Sequence, residues 1–270
     1  MAFKTPSEVA ATAVGMGVAK SRASSGALTV LGFLAGSFIA ISAVLSHTIS
    51  YSLGPWAGPS VVRIISGLPF SLGIVMVIVG GGELFTGNSL MVMALIDKRI
   101  PFGALTRNWI IVYFANMAGA IFVAWLYYRT GLWESADGTC AESLMAIAVR
   151  KSSLGFWPAF FRGVLCNWLV CMGVWMSYSA DDVVGRLVPS AMAVSAFVMC
   201  GAENSVANMF YIPAGFMVSS TPVAECVASL ARNLLPVTFG NVVGGGLLVG
   251  TMYWWAYVRH MSEARGVTGR

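Results

Sequence analysis

The chain has 270 residues, 57% of them hydrophobic and only 10% charged, with a formal net charge of +5. Soluble domains carry roughly 25% charged residues, and a chain this apolar would expose surface in water that it could not cover, so an ordinary soluble domain is excluded. The Lys and Arg residues are scattered between apolar runs rather than gathered on one face, which excludes a nucleic-acid-binding surface.

In chain order, residues 1–25 place Lys4, Lys20 and Arg22 around a mildly amphipathic stretch of Ala, Val and Met. They lack the short apolar core and cleavage site of a signal peptide, and are expected to form a retained interfacial helix on the cytoplasmic side. A spanning helix needs about 20 mostly apolar residues. Six segments qualify, near 27–49, 60–96, 104–128, 157–178, 187–217 and 231–257. Six spans put both termini on one side. That side then carries Lys4, Lys20, Arg22, Lys98, Arg99, Arg107, Arg186, Arg259, Arg265 and Arg270, and the other only Arg63, Arg129, Arg150, Lys151, Arg162 and Arg232. The excess places the termini, with a tail at 259–270, in the cytoplasm of a cell inner-membrane protein.

The second and fifth segments are too long for one crossing, and each is interrupted by glycine close to an acid: Gly82-Glu83-Leu84-Phe85-Thr86-Gly87-Asn88 and Gly201-Ala202-Glu203-Asn204-Ser205. Both helices are expected to break at membrane depth. Irregular backbone is tolerated there only where protein covers it or it lines a wet cavity.

The two breaks share Gly, Glu and a final Asn across 81–88 and 201–208. Downstream, Arg107-Asn108 leads to Val112, Phe114, Asn116 and Gly119 as Arg232-Asn233 leads to Val237, Phe239, Asn241 and Gly244, at identical spacing. Two copies of three spans each enter the bilayer from opposite sides, so the repeat is inverted, with halves at 26–130 and 155–258 inside a single channel domain of residues 1–270. In such repeats, paired broken helices meet near the midplane and turn helix ends toward a solute, and a helix N-terminus favours an anion.

Glu83 and Glu203 are carboxylates at membrane depth, where function is the default suspicion. They also sit where freed helix-end amides need acceptors, and a bracing role explains both. Asn116, Asn167, Asn208 and Asn241 read as interhelical hydrogen-bonding residues with some prospect of touching solute. His47 and His260 have no neighbouring second ligand in sequence, and the five cysteines form no CxxC pair, so no metal or cofactor is expected. Gly244-Gly245-Gly246 marks close helix packing.

At these residues the chain resembles the formate/nitrite transporter family. The resemblance is carried by Glu83-Leu84-Phe85-Thr86, Cys166-Asn167-Trp168-Leu169-Val170-Cys171, Glu203-Asn204-Ser205-Val206-Ala207-Asn208 and Asn233-Leu234-Leu235-Pro236-Val237-Thr238. It implies an all-α membrane protein with six transmembrane helices, two of them broken, in an aquaporin-like inverted repeat that assembles as a homopentamer in the lipid bilayer. It further implies that Phe70, Ile74, Leu84, Phe85, Val170 and Phe197 form two apolar constrictions. Thr86, Asn204, Ser205, Asn167 and Asn208 would line the path between them, and Lys151 would draw anions to the outer mouth. The family usually has His where this chain has Asn204, and Asn cannot titrate.

The expected activity is passage of a small monovalent anion such as formate. Nitrite, hydrosulfide, another short-chain acid, or a neutral small solute stand as alternatives. A membrane-embedded enzyme would need a convergent nucleophile, base or metal set, and no HExxH, GxSxG or paired Cys/His pattern occurs.

Overall fold

The computed structural model describes residues 3–53, 56–135 and 137–260. Ten helical segments carry the fold: α1 (Pro6–Arg22), α2 (Ser25–Ser50), α3 (Pro59–Gly80), α4 (Phe85–Ile96), α5 (Phe102–Thr130), α6 (Thr139–Ser152), α7 (Phe156–Ser177), α8 (Val183–Met199), α9 (Ser205–Val218) and α10 (Val223–Val258). No strand occurs among the described residues. Five of these helices, α2, α3, α5, α7 and α10, are long and apolar enough to cross a bilayer alone. The sixth crossing is assembled from α8 and α9, and α4 continues α3 beyond its break.

Packing follows the repeat. Helix α2 lies against α5 as α7 lies against α10, α1 lies on α4 as α6 lies on α9, and α3 crosses α8 where the two halves meet. The symmetry therefore includes α6, an amphipathic helix between Gly138 and Ser153 that no apolar run of spanning length announces. Glu142, Arg150 and Lys151 kept its hydropathy low, while Cys140, Leu144 and Ala148 form a buried stripe at helical spacing.

Helix α10 begins at Val223, ahead of the apolar segment expected near 231, because Glu225 and Ser229 lower the hydropathy of its first turns without interrupting the helix. Its last turns are π-helical over Val243–Thr251 and Trp254–Val258. The N-terminal helix opens with a capping box in which the Thr5 side chain accepts from the Glu8 amide and Glu8 reaches back to the Thr5 amide. Its face of Val9, Ala10, Ala13 and Val14 packs on Met91, Met93, Ala94, Leu105 and Trp175, so the helix expected at the interface has a protein partner. Residues 261–270, most of the expected cytoplasmic tail, lie outside the described residues.

Two equivalent glycines set the close approach of the long helices. A Cβ on Gly119 would run into the Phe33 carbonyl oxygen, and one on Gly244 into the Val164 carbonyl oxygen. Small residues let helix backbones touch where lipid supplies no hydrophobic drive. Because the obstacle is backbone, Gly119→Ala is expected to cost about 1–3 kcal/mol by overpacking. Gly103→Ala, on the same helix with nothing within 4 Å of its new methyl, should be neutral or stabilising. Thermal melts of the purified variants in detergent check the contrast.

Candidate functional site

Each break starts at a left-handed glycine, Gly81 at φ +80° and Gly201 at φ +70°. Glycine adopts this region without the penalty that a Cβ brings. The chain then runs extended to Leu84 and Asn204 before helix resumes. Each stretch leaves amides and carbonyls with no intrahelical partner, and one asparagine from the long helix of the same half takes them up. Asn116 accepts from the Phe85 amide at 2.9 Å and donates to the Glu83 carbonyl at 2.9 Å and the Gly32 carbonyl at 2.7 Å. Asn241 accepts from the Ser205 amide at 2.9 Å and donates to the Glu203 carbonyl at 3.0 Å and the Gly163 carbonyl at 2.9 Å.

The acids at the breaks have partners arranged in the same way. Glu83 takes Lys20 Nζ at 2.6 Å and Asn88 Nδ2 at 2.7 Å, while Asn88 also donates to Asn108 Oδ1 at 2.8 Å. Glu203 takes Lys151 Nζ at 3.1 Å to both oxygens and Asn208 Nδ2 at 2.7 Å, while Asn208 also donates to Asn233 Oδ1 at 2.7 Å. Asn108 and Asn233 close each ring by donating to the carbonyl of the lysine, Lys20 at 3.5 Å and Lys151 at 2.8 Å. Lys20, Asn108 and Asn233 were not among the sequence candidates. The repeated Lys-Ser at 20–21 and 151–152 and the repeated Arg-Asn at 107–108 and 232–233 were the available signal. Lys151 is committed to Glu203, with only 12% of its side chain exposed, so its positive charge is largely neutralised on the spot.

Between the breaks the polar and apolar candidates share one region. Phe70, Ile74, Leu84, Phe85, Val170 and Phe197 are all buried in one cluster. Phe70 meets Phe197 edge to face across α3 and α8 at 5.8 Å between centroids, and Phe85 meets Tyr113 at 4.9 Å. Asn167 on α7 ties the halves together, donating to the Thr86 carbonyl at 3.1 Å, Ser89 Oγ at 3.1 Å and the Asn241 carbonyl at 2.6 Å. Four polar atoms in this interior, Thr86 Oγ1, Ser205 Oγ, Asn167 Oδ1 and Asn208 Oδ1, are buried with no protein partner. Among the described residues no group of three or more His, Cys, Asp or Glu could hold a metal.

The family model for formate/nitrite transporters matches residues 7–255. The chain belongs to the formate/nitrite transporter family. It is a multi-pass membrane protein of a channel and transporter family and not an enzyme. It is 35% identical to a probable formate transporter of Methanothermobacter thermautotrophicus, over 95% of this chain and 98% of that one. It is also 35% identical to the formate channel FocA of Escherichia coli (strain K12), over 85% and 86%. Among solved structures, an FNT family ion channel superposes with a TM-score of 0.81 at 26% identity, covering 92% of this chain and 98% of that one. A pentameric formate channel with formate bound gives 0.74 at 31% identity, covering 87% and 98%.

Removing one member of a buried ion pair leaves an uncompensated charge and costs about 3–5 kcal/mol, whereas replacing both is often near neutral. Lys151→Met and Glu203→Gln are each expected to lower the melting temperature of the purified protein sharply, with the double variant closer to the parent than either single one. Additive losses would mean that the two side chains brace the fold independently.

Proposed function

We propose that the protein passes small monovalent anions, with formate as the main solute, through a chamber bounded by the apolar side chains of Phe70, Ile74, Leu84, Phe85, Val170 and Phe197. Thr86, Asn204, Ser205, Asn167 and Asn208 form the polar side of that path. The observation that carries the reading is the pair of unpartnered buried hydroxyls, Thr86 Oγ1 and Ser205 Oγ, inside an otherwise apolar cluster. Leaving such a group unpaired costs about 1–3 kcal/mol each, and the oxygens of a transient anion supply the acceptors that both hydroxyls lack, while the amide oxygens of Asn167 and Asn208 can be met only by a donor such as water. The formate channels among the relatives support this choice of solute, and the pentameric neighbour supports a homopentamer. Both termini face the cytoplasm in this reading, as the lysine and arginine distribution indicates.

Asn204 cannot exchange a proton, so any proton that accompanies the solute comes from water in the vestibules. Lys151 serves first as the brace of the second break and adds only a weak residual pull on anions at the outer mouth. Radiolabelled formate uptake into proteoliposomes is expected to saturate and to be competed by nitrite. Uptake of neither, by intact oligomers that still pass water or glycerol, would replace the anion reading with a neutral-solute channel.

Size selection falls on the aromatic pair. Phe70→Ala and Phe197→Ala are each expected to raise lactate flux relative to formate by about tenfold. An unchanged ratio in both would place the size filter elsewhere.

A further inference from the structure

The two copies of the repeat also part company where α1 and α6 dock. Spacing pairs Lys20 with Lys151 and Gly36 with Asn167, so Cys140 on α6 answers Val9 on α1, and His47 near the end of α2 answers Tyr178 at the end of α7. Val9 and Tyr178 pack in one apolar cluster. Their counterparts set an imidazole against a thiol: His47 Nδ1 stands 4.0 Å from Cys140 Sγ, and the Tyr127 hydroxyl, from α5, reaches the same sulfur at 3.4 Å. A junction that packs with valine and tyrosine in one copy has no packing need for a thiol and an imidazole in the other.

The three side chains are buried, with His47 3% exposed, Cys140 1% and Tyr127 6%. Among the described residues His47 Nε2 has no partner, and Nδ1 has only the long contact to sulfur. A buried imidazole without an oxygen or nitrogen partner calls for a water or an ion, and a thiolate beside an imidazole is a donor set for soft metals. His47 and Cys140 are 93 positions apart, so no spacing in the sequence announces the pair, and two such residues fall short of the three that a closed zinc or iron centre needs.

Geometry and charge narrow the ion. With a metal–sulfur bond of about 2.3 Å and a metal–nitrogen bond of about 2.05 Å, a tetrahedral centre holds sulfur and nitrogen about 3.6 Å apart and a trigonal one about 3.8 Å. The observed 4.0 Å suits an open centre of low coordination number. A monovalent ion takes the place of the thiol proton, which leaves to water, and the buried charge stays at zero. A divalent ion entering in the same way would leave one positive charge in an apolar interior, which is costly. We infer that His47 and Cys140, with the Tyr127 hydroxyl as a weaker third contact, form a site for a soft monovalent metal ion of the copper(I) class. Filled, it ties α6, the helix that carries Lys151, to α2 and α5. The site stands apart from the proposed anion path and does not depend on it.

The test uses the full chain, purified in detergent without oxygen, in a Cys200→Ser/Cys226→Ser background, because those two thiols are exposed or half-buried and would take the same ion. Copper(I) is titrated against a competing copper(I) chelator. One ion per chain is expected, bound more weakly as pH falls because a proton leaves when the ion enters. Cys140→Val, which copies Val9, and His47→Phe should each weaken binding at least tenfold, and zinc(II) in tenfold excess should not displace the copper. X-ray absorption at the copper edge should show one sulfur together with nitrogen or oxygen, which identifies the imidazole even if His47→Phe fails to fold. A parent that binds no copper(I), a Cys140→Val protein that binds it as tightly as the parent, or a spectrum with sulfur ligands alone overturns the inference.

Discussion

Backbone amides and carbonyls stripped of helical partners inside an apolar interior are the constraint on which the rest of this structure depends. A helix broken at membrane depth has no water to repair it, and each orphan group costs several kcal/mol. The chain answers with a side-chain amide, the one neutral group that both accepts and donates twice. Asn116 and Asn241 each take one N–H and one carbonyl of a break and tie them to a carbonyl of the neighbouring long helix, Gly32 on α2 or Gly163 on α7. To reach them, the long helices must lie almost backbone to backbone, which is why Gly119 and Gly244, one turn beyond those asparagines, have no room for a methyl. The glycine seam, the asparagine and the break are one device used twice.

Duplication supplies rigidity, and departures from it supply chemistry. The braces repeat faithfully, Lys20 with Glu83 as Lys151 with Glu203 and Asn108 as Asn233. The three positions after each acid do not repeat: Leu84 stands against Asn204, Phe85 against Ser205 and Thr86 against Val206. A strictly symmetric pair of breaks would give either two greasy ends or two polar ones. Exchanging polar for apolar at matched positions leaves Thr86 as the polar contribution of the first break and Asn204 with Ser205 as that of the second, and Asn167, with no counterpart amide at Gly36, joins the two.

Much of this was legible in the sequence because its causes are local. Runs of about 20 apolar residues, two Gly-x-Glu interruptions and the matched spacing from Asn108 to Gly119 and from Asn233 to Gly244 gave the spans, the breaks and the inverted repeat. Helix α6 was not legible, since a helix that buries one stripe and carries Glu142, Arg150 and Lys151 has no apolar run to notice. Nor were the lysine partnerships, which join residues 63 and 52 positions apart and leave no local trace. Lys151 read as a free charge at a mouth because its acid lay on another element. Asn204 read as a chamber residue because of the motif around it, but the cap its Oδ1 gives to the Val206 and Ala207 amides shows only in three dimensions.

The buried lysine–glutamate pairs are costly choices for stability alone, since ion pairs taken out of water often lose to apolar packing of similar volume. They become intelligible once the proposed solute is considered. A lone carboxylate about 8 Å from an anion, at an effective dielectric near 20, opposes it by about 2 kcal/mol, enough to slow passage some thirtyfold. The breaks nonetheless need a strong acceptor to hold Asn88 and Asn208 in place. Pairing each acid with a lysine keeps the acceptor and removes its net charge, so that in the proposed anion path the scaffold braces its loops without repelling the solute. An unpaired acid at either break would destabilise the fold and, in the proposed anion path, would also repel the solute.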